Sequence, residues 1–174
     1  LVGYTNAGKS TLFNYFTGSD VLTKDMLFAT LDSKMRSLTF KGGKTIIISD
    51  TVGFITNLPT QLISAFRSTL EEIVNADLIL HIRDISHTQS DIQATAVKEI
   101  ISELPWGEKK CPQTIEVLNK VDLLSFKEKV LLTKKCANSK NKILFSSKTG
   151  EGSEYLESII VKTLSEPKKK EKVF

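Results

Sequence analysis

The chain has 174 residues, 40% of them hydrophobic and 25% charged, with a formal net charge of +4. That length suits one domain with a core of its own, and the composition excludes fibrous, disulfide-stapled and wholly disordered classes. No apolar run approaches the roughly 18 residues of a membrane span, and no signal peptide is visible before the first glycine motif. Cys111, Cys136, His81 and His87 show no metal-ligand spacing, so two free thiols in a reducing compartment are expected, cytoplasm and mitochondrial matrix both fitting.

In chain order, Leu1-Val2 reads as the end of a strand. Two residues are too few for a central strand, where about 5–6 is usual, so the chain is expected to begin inside its first strand. Gly3-Tyr4-Thr5-Asn6-Ala7-Gly8-Lys9-Ser10 follows and fits G-x-x-x-x-G-K-[ST] at every fixed position. Small residues let backbone N–H groups approach phosphate oxygens, and a helix over Lys9–Phe16 favours an anion at its N-terminus. Lys9 is expected to reach the β- and γ-phosphates. The Ser10 hydroxyl suits Mg2+ as a hard oxygen ligand, and Thr11 adds a hydroxyl near the α-phosphate. The motif implies a nucleoside triphosphate and leaves the base open.

Phe28-Ala29-Thr30-Leu31-Asp32 reads as a switch segment, with Thr30 a second Mg2+ ligand when the triphosphate is bound. Met35–Phe40 and Lys44–Ser49 flank Gly42-Gly43, a hairpin pattern. The second strand runs into Asp50-Thr51-Val52-Gly53, a D-x-x-G sequence. Asp50 is expected near Mg2+ through water, and the Gly53 N–H is expected to sense the γ-phosphate. Lys9, Thr30 and Gly53 form the expected catalytic group. Phe54 stands where Ras-like enzymes carry the glutamine that orients water, and phenylalanine cannot do that. Either the domain binds its nucleotide without hydrolysing it, or catalytic help comes from elsewhere. Phe54 is expected on a switch surface, whereas Leu62 and Phe66 suit the core.

Leu62, Phe66, Leu70, Ile73 and Val74 share one face of a helix starting near Pro59. Leu78–Arg83 is a strand. Ile92, Ala96, Ile100, Ile101 and Leu104 mark a helix that stops before Pro105. His81, His87, Arg67 and Arg83 read as packing or surface residues rather than catalytic ones. The strand Ile115–Leu118 delivers Asn119-Lys120-Val121-Asp122, which fits N-K-x-D. The Asp122 carboxylate can accept from guanine N1–H and its exocyclic amine, and adenine would leave that acceptor unpaired at a cost of about 1–3 kcal/mol. The Lys120 stem suits the base plane, and Asn119 suits bracing of the phosphate loop. A helix near Lys127–Cys136 leads to the strand Lys142–Phe145. Ser146-Ser147-Lys148 then resembles the S-A-K element that closes over guanine, with the Ser147 N–H aimed at the guanine oxygen. A last helix near Ser153–Leu164 precedes Lys168, Lys169, Lys170 and Lys172.

This alternation implies an α/β fold: a P-loop NTPase with a Ras-like G domain, its six-stranded, mostly parallel sheet flanked by helices. Residues 1–165 form the domain, and residues 166–174 read as a basic, disordered tail. Asn6 resembles the asparagine of potassium-dependent GTPases, where it helps hold a K+ ion against the phosphates; the alternative is a hydrogen bond within its own loop.

Gly3–Asn14, Phe28–Asp32, Asp50–Pro59, Ala65–Glu72 and Ala76–His87 together resemble the GTP-binding domain of HflX-type GTPases. The specific segments are D-M-L-F-A-T-L-D, D-T-V-G-F-I-T-N-L-P, A-F-R-S-T-L-E-E and A-D-L-I-L-H-I-R-D-I-S-H. The resemblance runs from Leu1 to about Leu164. It implies Mg2+-dependent hydrolysis of GTP to GDP by a monomeric protein preceded by an N-terminal domain. It also implies binding to the rRNA and protein of the large ribosomal subunit, with splitting or rescue of ribosomes. Two alternatives remain: a GTP-gated binding module with negligible turnover, and a GTPase of RNA modification or ribosome assembly.

Overall fold

The structure, a computed structural model, describes residues 1–19, 33–54, 63–107, 110–139 and 141–166, with only the helical backbone for 63–68. The elements run β1 (Val2–Gly3), α1 (Lys9–Thr17), β2 (Lys34–Thr39), β3 (Thr45–Asp50), α2 (Ile63–Asn75) and β4 (Leu78–Asp84). They continue α3 (Ser90–Ser102), β5 (Gln113–Asn119), a 3-10 turn (Val121–Leu123), α4 (Phe126–Cys136), β6 (Lys142–Leu144) and α5 (Ser153–Ser165). None of these helices is long and apolar enough to cross a membrane.

β1, β4, β5 and β6 pair in parallel in the order β1-β4-β5-β6. β2 and β3 form an antiparallel hairpin, tightened where the Gly43 N–H donates to the Phe40 carbonyl at 3.0 Å. The α/β class and the mostly parallel sheet are as expected from the sequence. The six strands, however, divide into a parallel four and an antiparallel two. β1 contributes only two residues, both laddered to β4. Beside that edge the Leu1 ammonium donates to Ser49 O of β3, and Thr51 Oγ1, just past β3, donates to Leu1 O, each at 2.6 Å.

The parallel strands are covered on both faces, which accounts for their near-continuous apolar runs. β4 sends Leu80 and Ile82 to one core, with Leu12 and Phe13 of α1, Ile115 and Val117 of β5, Phe145, and Leu156 and Ile160 of α5. It sends Ile79 to the other, with Val2, Phe54, Ile73 of α2, and Val97, Ile101 and Leu104 around α3. Each fully buried Leu, Ile or Phe contributes about 1.5–3 kcal/mol. The end of α3 is as its sequence suggests, with Ile101 and Leu104 buried and Ile100 packed against the same core, but its start is turned: Ser90, Ala94 and Val97 are buried, and Ile92 is 70% exposed. The rotation is fixed by Arg83 on β4, whose guanidinium donates to Ser90 Oγ and to the Asp91 carboxylate in the first turn of α3. Its other arm reaches Glu116 on β5 at 2.8 Å. α4 starts on a capping box, with Ser125 N–H donating to Glu128 at 2.8 Å and Glu128 N–H donating back to Ser125 Oγ at 3.4 Å.

Candidate nucleotide site

A buried polar group is costly unless it is paired or used, so its location is informative. Thr5, Lys9, Asp50, Thr51, Asn119 and Ser146 are all buried, and all lie in or beside the loops that leave the C-terminal ends of β1, β3, β5 and β6. Ligands of open α/β sheets bind outside those ends.

The loop between β1 and α1 has the shape its glycines require. Gly3 sits at φ 153, and a Cβ there would lie 2.2 Å from the Ile82 carbonyl oxygen of β4. Gly8 sits at φ 95, and a Cβ would lie 2.2 Å from Asn119 Nδ2. Between them Asn6 takes the left-handed region at φ 60, a conformation asparagine tolerates better than most residues. Its side chain is exposed and makes no hydrogen bond among the described residues, which leaves the loop-bracing alternative without a partner. The Lys9 ammonium donates to Tyr4 O at 3.0 Å and Gly3 O at 3.3 Å, back across the loop. Burial lowers its pKa to about 8, only partly offset by the nearby Asp50.

The Asp50–Gly53 segment lies against this loop. Ser10 Oγ donates to Asp50 Oδ2 at 2.6 Å, bringing two hard oxygens together at the start of α1. Phe54 N–H donates to Gly3 O at 3.0 Å and Thr5 N–H donates to Phe54 O at 2.9 Å, so the two segments join as a short parallel bridge. Gly53 is tightly enclosed: a Cβ would meet Lys9 Nζ and Thr5 Cα, each at 2.9 Å. The expected switch surface at Phe54 is not what the structure contains. The ring is 1% exposed and packs in the core with Ile73, Ile79 and Val97, because the backbone bridge turns residue 54 inward.

The third and fourth loops are tied to the first through Asn119, which is 0% exposed. Its Nδ2 donates to Ala7 O at 2.8 Å, and its Oδ1 accepts from Ser147 N–H at 2.9 Å. The bracing expected of Asn119 is thus in place. The Ser147 N–H, expected to face a guanine oxygen, is instead directed at Asn119. Ser146 Oγ donates to Asp122 Oδ1 at 2.6 Å, and Val121 N–H donates to Phe145 O at 3.3 Å, so the N-K-x-D and S-S-K loops are joined.

Sequence reasoning missed Asp84, which ends β4 directly opposite Asn119 in the parallel register. Its Oδ2 lies 2.7 Å from Lys120 Nζ. The sequence offered one signal, an acidic residue closing a strand otherwise apolar for most of its length. Phe28, Ala29, Thr30, Leu31 and Asp32 lie outside the described residues, as do Ile55, Leu58, Leu62, the side chains of Phe66 and Arg67, and the lysine-rich end. Cys111 and Cys136 are free thiols, the first exposed and the second buried. A separate cavity of about 500 Å³, lined by Lys98, Trp106, Cys111 and Glu116 among others, lies toward the start of β5, away from these loops.

The family model described as "50S ribosome-binding GTPase" matches residues 1–120. The GTPase HflX of Magnetococcus marinus is 46% identical over 156 residues, covering 90% of this chain and 35% of that protein. The chain thus spans about a third of the length of this relative. Among solved structures, a point variant of Aquifex aeolicus Era bound to GDP.AlF4- superposes with a TM-score of 0.71 at 25% identity, covering 96% of this chain and 56% of that one. Era in complex with MgGDPNP and nucleotides 1506-1542 of 16S ribosomal RNA gives the same TM-score, 0.71, at 25% identity, with coverage of 96% and 56%.

Proposed function

The chain belongs to the 50S ribosome-binding GTPase family, with its HflX resemblance borne out by sequence identity, and from that premise we propose that it binds GTP and hydrolyses it to GDP in response to the large ribosomal subunit. The observation that carries this reading is the Asn119 side chain, which holds the phosphate loop by one atom and the S-S-K loop by the other. One residue thereby links the part that would take the phosphates to the part that would read the base.

In this reading residues 3–11 cradle the phosphates, their N–H groups and the α1 N-terminus favouring the anion. Lys9 supplies a positive charge whose low-dielectric setting strengthens it against developing phosphate charge. Asp122, held by Ser146, accepts from the guanine edge, and Lys120 lines the base plane. The Ser10–Asp50 oxygen pair fits a magnesium ion shared with nucleotide phosphates, and the Era complex with MgGDPNP supports that assignment. Bound there, Mg2+ would neutralise charge on the β- and γ-phosphate oxygens. Asp50 would hold it through water, with Thr30 as the second protein ligand. Asn6, whose side chain is exposed and makes no hydrogen bond among the described residues, is the residue we assign to a K+ ion beside the phosphates.

The buried Phe54 ring favours a second reading, a GTP-gated module with negligible turnover. One experiment separates the two: GTP hydrolysis by the full-length protein, with and without purified large ribosomal subunits, in potassium and in sodium buffer. Stimulation by subunits supports the coupled enzyme. Tight GTP binding with no stimulation supports the gated module, and equal rates in both salts remove the K+ assignment.

A further inference from the structure

We propose that Asp84 is a positioning residue for the guanine site, its ion pair with Lys120 holding the lysine stem in place before the base arrives. The inference rests on the guanine-site reading and adds to it a residue outside the four loop motifs.

Lys120 follows β5 in a left-handed turn at φ 66, ψ 32, a conformation that costs a non-glycine residue about 1–2 kcal/mol. The turn is kept because its surroundings fix it. Leu123 N–H donates to Lys120 O at 3.0 Å, and Ile85 N–H donates to Asn119 O at 3.1 Å on the other side. A lysine stem has four rotatable bonds and carries about 2 kcal/mol of rotamer entropy. Left unpartnered, it would sample many conformers, and a base stacking on it would have to order it. Asp84 removes that freedom. Its carboxylate is 2.7 Å from Lys120 Nζ, with side-chain exposures of 13% for Asp84 and 28% for Lys120.

Asp84 is itself held. Ser86 N–H and Ser86 Oγ donate to its Oδ1 at 3.0 and 2.6 Å, leaving Oδ2 for the lysine. Burial works against the charged carboxylate, but the bonds from Lys120 and Ser86 outweigh it and hold the pKa of Asp84 below the usual carboxylate value. The arrangement therefore orders the lysine at the folding stage, which is what preorganisation requires. The opposing account is a plain tie between the β4 and β5 loops, with no consequence specific to the base.

The test is calorimetric titration of the full chain with GDP and, as a probe of the phosphate loop alone, with tripolyphosphate. It uses Asp84→Asn, Lys120→Met and the double variant. Asp84→Asn is expected to weaken GDP about tenfold and to leave tripolyphosphate within about twofold, since only the base site is disturbed. Lys120→Met is expected to weaken GDP similarly, and adding Asp84→Asn to it is expected to change nothing further, because the two residues act as one unit. A second, independent loss in the double variant overturns the proposal, as does an equal loss of GDP and tripolyphosphate. If Asp84→Asn does not fold, Ser86→Ala loosens the same carboxylate and is expected to weaken GDP about threefold. No loss there also overturns it. A wild-type chain that takes tripolyphosphate and not GDP sinks the guanine-site reading itself, and this inference with it.

Discussion

Replacing Asn119 by alanine is the perturbation whose size follows most directly from the structure. The side chain is wholly buried and makes one bond as donor, to Ala7 O at 2.8 Å, and one as acceptor, from Ser147 N–H at 2.9 Å. Truncation leaves a carbonyl and an N–H without partners, and each such buried group costs about 1–3 kcal/mol unless water replaces the bond. Ser147 is half-buried, so water can reach its freed N–H, and with the lower half of that range the total is about 2–4 kcal/mol. Against a typical stability of about 5–15 kcal/mol the domain is expected to remain folded. The assay is urea denaturation of the nucleotide-free chain, with GDP affinity measured alongside. The denaturation midpoint should fall with an unchanged slope. GDP affinity should fall further than the stability loss explains, because a loop released at Ala7 must be reordered on binding. Asn119→Asp sharpens the test: it keeps an acceptor for Ser147 and sets a carboxylate against the Ala7 carbonyl. It should therefore be at least as damaging as alanine. A change below about 0.5 kcal/mol for Asn119→Ala, the size of an ordinary surface substitution, refutes the reasoning.

Gly8→Ala combines a left-handed strain with a Cβ 2.2 Å from Asn119 Nδ2, and is expected to weaken GDP roughly a hundredfold, about 3 kcal/mol, in calorimetric titration. Gly18→Ala is the control: φ is 63 but nothing lies within 4 Å of the added carbon, so about 1 kcal/mol of stability should go and GDP affinity should not change. Lys9 has a folded pKa lowered to about 8 by burial, so it deprotonates in the nucleotide-free chain as pH rises through that value, and phosphate binding should restore the proton. GDP binding at pH 8.5 should take up protons, read as a dependence of binding enthalpy on buffer ionisation enthalpy; no such dependence, or its persistence in Lys9→Met, contradicts the assignment. His81 is 1% exposed, and burial lowers its pKa from 6.5 to about 4. The unfolded chain then binds the proton more tightly, so stability is whole above about pH 6.5 and is lost as pH falls toward 4, by up to about 3 kcal/mol. Thermal melts between pH 4 and 7 should show that slope in the wild type and lose it in His81→Phe.

Much of the fold was legible because the signals were local. Glycine spacing announced the phosphate loop, and alternating apolar runs marked the strands to within a residue or two. What escaped was set at a distance. The inward face at the start of α3 depends on Arg83 reaching Ser90 and Asp91 from β4, and the periodicity of α3 alone favours Ile92 there. The partner of Lys120 lies 36 positions earlier in sequence and becomes a neighbour only through the β4–β5 register. The motif residues could be named from spacing, but the direction of the Ser147 N–H depends on where Asn119 Oδ1 lies, which spacing does not encode.

Phe54 is the residue at which fold and chemistry meet. Where Ras-like enzymes carry a glutamine that orients water, this chain places a ring in the core beside Ile73 and Val97, while the backbone of residue 54 grips the phosphate loop. Withdrawing that ring to approach a γ-phosphate would forfeit roughly 1.5–3 kcal/mol of burial and bring no group able to orient water. Residue 54 thus serves as an anchor. Asp50, bonded to Ser10, anchors the other end of the segment, and Thr51 between them is tied to Leu1 O. On the proposed function, help for hydrolysis would come from groups beyond residue 54, such as the cation assigned to Asn6 or the bound large subunit. A G domain of this kind is expected to turn over slowly alone and to depend on what completes its site.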